Sequence, residues 1–433
     1  MPRVCILFPV KRPEWKSSLT EARMQGMADK HSKVMAAGGE AGYGGKPTYR
    51  VSAASLFWSF LRLGVTAFGG PAMVAYIRDL AVGKKHWLTP ESFADGTALC
   101  QSIPGSTAMQ ATAYVGLRAR GIAGALAAFV GFGLPAFLLM TALSGVYQVS
   151  RDLQPVAAAF RGLQVVVVAL VANAVVTFGR SSIKNWRDLL VAVGAGAFLV
   201  LHGNPILVIV GSAAVSVALY VGANLPLRPS HSIGQPKGQK VERLILLVVL
   251  TGGTVLAVLF VANRRLFDLA LVMLKVDLSA FGGGFASVPV MLQQVVGVRH
   301  WTDSKTFMDG IALGQVTPGP IVITATFVGY QVAGMLGAVV ATVAVFSPSF
   351  LIVLVTVPYF DRLQRSLVFR RALRGVLASF VGLLLAVTIQ FAMAAPWTRR
   401  SVPLALAAFV ALQLKVDVLW VVLAGAAIAI LFL

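Results

Sequence analysis

The chain has 433 residues, of which 57% are hydrophobic and 12% are charged, and its mean hydropathy is +0.80. Soluble domains contain roughly 45–50% apolar and about 25% charged residues, so this composition excludes an ordinary soluble protein and indicates a polytopic membrane protein. The net charge of +21 would suit a nucleic-acid ligand, but most of the basic residues lie in the N-terminal tail and in loops flanking apolar blocks, so we predict no nucleic-acid binding.

In chain order, residues 1–50 are polar and rich in glycine, which predicts a disordered cytoplasmic tail. A first repeat at 51–224 carries six apolar spans, near 53–81, 93–117, 121–147, 156–179, 188–202 and 204–224. A polar linker and one extra helix occupy 225–262. A second repeat at 263–433 again carries six spans, near 266–296, 306–330, 333–360, 372–395, 402–414 and 416–433. The predicted fold is an all-α membrane protein with about 13 transmembrane helices, in which the short segments near 188 and 402 are either half-spans or full crossings.

The two halves carry the same motifs in the same order, at an offset of 213 to 214 residues. TAFGGP at 66–71 recurs as SAFGGG at 279–284, and a His-Trp pair, an Asp-Gly pair, a glutamine and a Pro-Gly pair follow each copy. One extra helix between the copies inverts the second relative to the first, and the excess of Lys and Arg on the side of the N-terminus supports this. We therefore predict two inverted-topology repeats, with the N-terminus cytoplasmic and the C-terminus periplasmic.

The repeated motifs contain helix-breaking residues at symmetric positions, namely Gly69, Gly70, Pro104, Gly105, Gly282, Gly283, Pro318 and Gly319. Secondary transporters with inverted repeats bind substrate where such broken helices meet near the midplane. The N-terminal end of a half-helix carries about half a positive charge, so four breaks predict an anion site. Close helix packing is the alternative explanation for the glycines.

Neutral donors accompany these breaks, and they are Gln101, Ser106, Thr107, Gln110, Gln315 and Thr317. Gln101 and Gln315 occupy equivalent positions in the two repeats, and we predict that they bind the substrate. Hydroxyl and amide groups of this kind complete an oxyanion shell or make ordinary hydrogen bonds between helices, and the sequence leaves both roles open.

One cation precedes the first break of each repeat. Arg62 lies seven residues before Gly69, and Lys275 lies seven residues before Gly282. A cation inside a span usually faces a cavity, so we predict that both bind a tetrahedral dianion. The alternatives are that either side chain snorkels to the interface, or that Lys275 pairs with Asp277 or Asp268.

Asp95 and Asp309 lie near the start of the second helix of each repeat. The favoured interpretation is that each carboxylate stabilises the positive end of its helix dipole. The sharper hypothesis is that both are proton-coupling residues, since protonation of an intramembrane carboxylate changes the charge during a transport cycle.

No cofactor and no metal site are predicted. Cys5 and Cys100 are far apart in the sequence, which suits neither a disulfide framework nor a zinc site. The chain has no GxxxxGK[ST] motif, no HExxH and no GxSxG, so we predict neither ATP-driven transport nor an enzyme. His86 and His300 each precede a tryptophan and suit interfacial anchors, with proton sensing left open.

Four long motifs carry a resemblance to a known family: FLRLGVTAFGGPAMVAYI from Phe60, HWLTPESFADGTALCQSIPG from His86, FGGGFASVP, and HWTDSKTFMDGIALGQVTPGP. From about residue 55 to its end, the chain resembles the chromate ion transporter family in its long two-domain form. The resemblance implies a bacterial inner-membrane protein that exports chromate, or the isosteric sulfate, driven by the proton motive force. The family's motif positions fall on Phe68, Gly69, Gly70, Pro71, Trp87, Pro104, Gly105, Gly282, Gly283, Trp301, Pro318, Gly319 and Pro320. Ser106 departs from the family pattern, which has a second proline there as Pro320 provides in the second half.

The leading functional hypothesis is an oxyanion exporter, with a small oxyanion and the lipid bilayer as partners and with homo-oligomer formation left open. Uptake of sulfate or another small anion is the first alternative, because direction depends on coupling and not on the site. A membrane-embedded lipid-handling enzyme is an alternative of a different class. The symmetric duplication of the polar residues favours alternating access over that enzyme.

Overall fold

The computed structural model describes residues 51–68, 72–201, 203–221, 241–359 and 366–432. The predicted cytoplasmic tail, the polar part of the linker, and Gly69 and Gly70 lie outside these residues. The described secondary structure is helical, apart from one isolated antiparallel bridge between Pro104 and Phe281.

Fifteen α-helices are present in the described ranges: α1 Ala53–Thr66, α2 Ala72–Arg78, α3 Pro90–Ser102, α4 Thr107–Ser150, α5 Gln154–Ser182, α6 Trp186–Val200, α7 Pro205–Leu219, α8 Val241–Ala262, α9 Arg264–Leu278, α10 Ser287–Leu292, α11 Ser304–Val316, α12 Thr324–Thr356, α13 Leu367–Ala394, α14 Ser401–Gln413 and α15 Val418–Phe432. π-Helical turns at Asp79–Lys84 and Gln293–Val298 extend α2 and α10. Short 3₁₀ turns at Gly284–Ala286 and Ile321–Ile323 precede α10 and α12.

Four described helical stretches are long and apolar enough to cross a membrane: Thr107–Ser150, Gln154–Ser182, Ile321–Tyr359 and Leu367–Ala394. Helices α6 and α7, of 15 residues each, span only about 22 Å at 1.5 Å per residue, less than the roughly 30 Å of a bilayer core. The equivalent pair in the second half, α14 and α15, is also short, with 13 and 15 residues. The structure is that of a multi-pass helical membrane protein.

Helix α4 reverses direction inside its length, at Arg120 and Gly121, where the backbone leaves the helical region and Gly121 has a φ of 70°. Gly116 and Gly124 are in backbone contact, such that a Cβ on either glycine would collide with the other's carbonyl oxygen. Residues eight positions apart in a straight helix would be about 12 Å apart along the axis, so this contact requires a tight hairpin. The sequence-predicted boundary between the spans 93–117 and 121–147 falls at this turn.

Helix α12 makes the same reversal at Ala333 and Gly334, where the φ of Gly334 is 59°. Gly329 and Gly337 approach each other as closely as the first glycine pair does. The local fold of the first half is thus repeated in the second, at the offset that the sequence motifs predict.

One long helix of each half packs against the last two helices of the other half. Helix α5 packs against α14 and α15, and α13 packs against α6 and α7. Gly162 permits the first contact because its Cα faces Ala429, and Gly375 permits the second because its Cα faces Ser216. The two halves are therefore interlocked, which holds the broken helices of both in one central region.

Candidate functional site

The Pro-Gly break of each half binds buried backbone of the other half. The Gly105 N–H donates to the Ala280 carbonyl at 2.8 Å, and the Gly319 N–H donates to the Ala67 carbonyl at 3.0 Å. The Pro-Gly break of each half is thus bound to the backbone just after the first helix of the other half. The bridge between Pro104 and Phe281 extends one of these pairings.

Glycine is required at both crossing points by backbone conformation and by space. The φ of Gly105 is 121° and that of Gly319 is 117°, in a region that residues with a side chain rarely adopt. A Cβ on Gly105 would collide with the Ser349 hydroxyl, and one on Gly319 would lie 2.8 Å from the Ala136 Cβ. The Pro-Gly motifs therefore set the backbone path at which the two halves cross.

A cavity of about 190 Å³ lies beside this crossing. One water needs about 10–15 Å³ on the same measure, so the space suffices for a five-atom oxyanion. It is lined by Met73, Val74, Gln101, Ser106, Thr107, Ala108, Phe178, Gly282, Gly283, Gly284, Phe285, Pro320 and Ile321. These residues include the first turns of four helical stretches, those beginning at Ala72, Thr107, Gly284 and Ile321.

The polar groups of the cavity are neutral hydrogen-bond donors. The N–H groups in the first turn of a helix have no partner within the helix, and they are positively polarised by the helix dipole. The Thr107 hydroxyl and the Gln101 amide add side-chain donors. The described residues that line the cavity include no charged side chain. The arrangement therefore suits an anion held by dipoles.

The structure brings some of the sequence-predicted site residues together and separates others. Gln101, Gly282 and Gly283 line the cavity, and Pro104, Gly105, Pro318 and Gly319 form the crossing beside it. Gln315 does not line the cavity, and its half-buried amide has a nitrogen without a hydrogen-bond partner.

The two predicted cations, Arg62 and Lys275, are both exposed, and neither lines the cavity. The alternative ion pairs proposed for Lys275 are wrong: Asp268 pairs with Arg299 at 3.0 Å, and Asp277 is buried among hydroxyl and amide donors. Two residues along a helix face in nearly opposite directions, so an exposed Lys275 and a buried Asp277 are mutually consistent.

The favoured capping role of the two repeated aspartates is also wrong. The cap of α3 is Thr89 and that of α11 is Asp303, and each accepts a hydrogen bond from a backbone N–H in the first turn. Asp95 and Asp309 lie in the second turn of their helices, beyond the reach of the free N–H groups.

Asp309 is buried and is held by side chains of the first half. The Tyr147 hydroxyl donates to one carboxylate oxygen at 2.8 Å, and the Gln164 amide donates to the other at 2.8 Å. Asp95, its counterpart, is half-buried. The repeat is therefore symmetric in sequence at this position but unequal in environment, and proton coupling at either residue stays a prediction.

A polar cluster around Asp188, which the sequence did not indicate, connects the two halves. Asp188 at the start of α6 accepts two hydrogen bonds of 2.9 Å from the Arg374 guanidinium on α13, and it also accepts one from the Tyr220 hydroxyl. The acid and the arginine are 186 positions apart, so no local pattern links them. Asp188 also completes a capping box with Asn185, and only that shorter-range role was visible in the sequence.

Comparison with known proteins agrees with this architecture. The family model described as Chromate transporter matches the chain twice, over residues 54–217 and 267–430. An uncharacterized transporter of Methanocaldococcus jannaschii is 42% identical over 88% of this chain and 95% of its own length.

Two relatives have functional names. A chromate transport protein of Pseudomonas aeruginosa is 33% identical over 78% of this chain and 80% of its own length. Another, from Cupriavidus metallidurans, is 31% identical over 85% of this chain and 88% of its own length. No solved structure matches the chain. These matches are to membrane transporters and not to enzymes, and the chain belongs to the chromate transporter family.

Proposed function

We propose that this chain is a secondary transporter that exports chromate, as a tetrahedral oxyanion, across the inner membrane and thereby gives chromate resistance. The family match and the names of the relatives support chromate as the substrate. The export direction and the use of the proton motive force are parts of the proposal, as is the inner membrane as its location.

The observation that carries the proposal is that residues from the first described turns of four helical stretches line one small cavity. The first turn of a helix has a partial positive charge and free N–H groups, which together suit an anion without a full cation. A site made of dipoles binds a dianion less tightly than a site with two buried arginines would. Moderate affinity suits a transporter, which must release its substrate on the other side.

The proposal includes a topology. It has about 13 transmembrane helices, with repeats at 51–224 and 263–433 inverted by the extra helix within 225–262, the N-terminus cytoplasmic and the C-terminus periplasmic. The reciprocal pairing of the breaks and the exchange of terminal helices support a symmetric role for the two halves. Single cysteines introduced at Asp152 and at Ser182, with opposite labelling from the two sides of the membrane, test the orientation of the first half.

Uptake of sulfate or another small anion is the second candidate. Neutral donors around a cavity recognise the charge and shape of a tetrahedral dianion, and chromate and sulfate share both. The lipid-handling enzyme is not supported, because the family consists of transporters.

The decisive experiment is flux in proteoliposomes that contain the full chain, with chromate or sulfate inside or outside and with imposed pH and voltage gradients. Export of chromate that depends on the gradient supports the proposal. Flux of sulfate alone, or no flux of either anion, contradicts it.

The variant Thr107→Val tests the cavity, because it removes a lining hydroxyl at constant shape. Loss of one hydrogen bond to a charged ligand, of about 1.5–3 kcal/mol, predicts roughly 10- to 150-fold weaker chromate binding. Thr66→Val is the matched control, since the Thr66 hydroxyl is exposed and donates to carbonyls of its own helix. Equal effects of the two substitutions would remove Thr107 from the site.

The exposed cations predict a different effect. Arg62→Ala and Lys275→Ala are expected to leave chromate affinity little changed, because neither side chain lines the cavity. Loss of chromate affinity in either variant would instead place that side chain in the site, as the sequence predicts.

A further inference from the structure

A buried carboxylate lies next to the crossing and has no part in the site described above. Asp277, in the last turn of α9, has an exposed fraction of 0%. Its oxygens accept hydrogen bonds from the Ser349 backbone N–H at 2.8 Å and from the Ser349 hydroxyl at 2.8 and 3.0 Å. The Ser349 hydroxyl in turn accepts from the Ser106 N–H at 2.8 Å.

These hydrogen bonds connect Asp277 to the cavity wall. Ser106 lines the cavity and is the N-terminal cap residue of α4. Two hydrogen bonds, through the hydroxyl of one serine, therefore separate the carboxylate from the backbone of the candidate anion site. The same segment of chain is fixed by the bond from the Gly105 N–H to the Ala280 carbonyl.

No cation of the described residues pairs with Asp277. On its own helix, Arg264, Arg265 and Lys275 are exposed, and Asp268 pairs with Arg299. The described side chains of α8, at 250–262, include no titratable group, nor does the stretch 284–298. On α12 the titratable residue is Tyr330, in the part before the hairpin turn. A buried carboxylate without a counter-cation is held as an anion at high cost, and a bound proton removes that cost.

The first half makes its equivalent crossing without these polar groups. At the offset of 213 residues, Gly64 stands where the second half has Asp277, and Ala136 stands where it has Ser349. Structural equivalence holds too, because Gly319 packs on Ala136 as Gly105 packs on Ser349. Since a Gly and Ala pair suffices to build the crossing, the carboxylate and the hydroxyl serve something other than the backbone path.

We propose that Asp277 is a proton-binding site whose occupancy is coupled to that of the anion cavity, so that the dianion binds and crosses with one proton, as one net negative charge that the inside-negative membrane potential drives outwards. This inference rests on the proposed function. The ionised carboxylate repels an anion in the cavity, and the neutral acid does not. Anion binding therefore draws a proton from water onto one carboxylate oxygen, with no other bond changed, and release of the anion returns it.

The sign of the pH dependence follows from this coupling. Anion affinity is highest where Asp277 is protonated, and it falls as the pH rises through the titration of that carboxylate. For a single coupled proton the fall is at most about tenfold per pH unit. Proton uptake is at most about one per anion bound.

The test is calorimetric titration of the purified full chain with sodium sulfate and with sodium chromate, in buffers of different ionisation enthalpy and over a range of pH. Sulfate is included because it does not itself titrate in the neutral range. The wild-type protein is expected to take up protons on binding. The variant Asp277→Asn is expected to bind the anion with no uptake and with an affinity that no longer changes with pH.

Three further variants make the result specific. Asp152→Asn, at a residue whose side chain is 94% exposed in a loop, is expected to keep the uptake. Asp309→Asn tests the other buried acid. The pair Asp277→Gly with Ser349→Ala recreates the crossing of the first half, and it replaces Asp277→Asn if that variant does not fold.

The outcomes separate the two proposals. If the wild-type protein binds neither anion, the proposed function fails and this inference fails with it. If it binds but takes up no proton, or if uptake survives in both Asp277 variants, only the coupling role of Asp277 is overturned. Uptake that disappears in Asp309→Asn and persists in Asp277→Asn assigns the proton to Asp309 instead.

Discussion

The ion pair between Arg374 and Asp188 predicts a large and specific loss of stability. The Asp188 side chain is 1% exposed and that of Arg374 is 23% exposed, and two hydrogen bonds of 2.9 Å join them. Removing one member of a buried pair typically costs about 3–5 kcal/mol, because the other charge stays buried without a partner. For Arg374→Leu we expect the lower end of that range, about 3 kcal/mol, since water has partial access to the arginine side.

The repeat supplies a matched control for this substitution. Arg161 stands at the position of the first half that corresponds to Arg374, but it is exposed. Arg161→Leu is therefore expected to change the free energy of unfolding by less than about 0.5 kcal/mol. Reversible denaturation in mixed micelles, followed by tryptophan fluorescence, measures both variants.

A double substitution distinguishes a buried charge from lost packing. Asp188→Asn combined with Arg374→Leu leaves no buried charge, so it should cost less than Arg374→Leu alone. The reasoning is refuted if the two arginine variants are equally stable, or if the double variant loses the full sum of the single losses.

Three other predictions concern the crossing, the buried acid and the buried thiol. Gly105→Ala should destabilise the protein by about 1–3 kcal/mol and abolish flux, because the φ of 121° and the nearby Ser349 hydroxyl both oppose a Cβ. Gly194→Ala, with open space around the Cα, should do neither. Denaturation and flux assays measure both variants. Tyr147→Phe removes a donor from the buried Asp309 carboxylate and should cost about 1–3 kcal/mol in the same denaturation experiment. Cys100 is fully buried, so in a variant without the other cysteine we expect no maleimide labelling until the protein unfolds; rapid labelling of the native protein would contradict its burial.

The positions of the helix breaks were predictable because the signals are local. A proline next to a glycine favours the end of a helix, and the Pro104 and Gly105 pair and its counterpart at Pro318 and Gly319 mark ends of helices in the structure as in the sequence. The hairpin turns were also predictable in place, since Gly121 and its counterpart Gly334 stand between apolar blocks.

The side-chain partners of charged residues were not predictable, because in a membrane protein many helix faces are apolar and periodicity does not say which face is inside. Lys275 and Asp277 illustrate this, since they stand two positions apart and only the carboxylate is buried. One usable signal was missed: Asp277 breaks the symmetry of the repeat, where the first half has Gly64.

By itself, the sequence determined that this is a helical membrane protein of two related halves, with breaks at equivalent positions, because composition and repetition are properties of the chain alone. Only the tertiary structure decided which breaks meet, since the bonds from Gly105 to Ala280 and from Gly319 to Ala67 join residues of different halves. It also decided that helix N-termini, and not Arg62 and Lys275, surround the cavity. Such contacts depend on how distant helices pack, and that information lies in no local stretch of sequence.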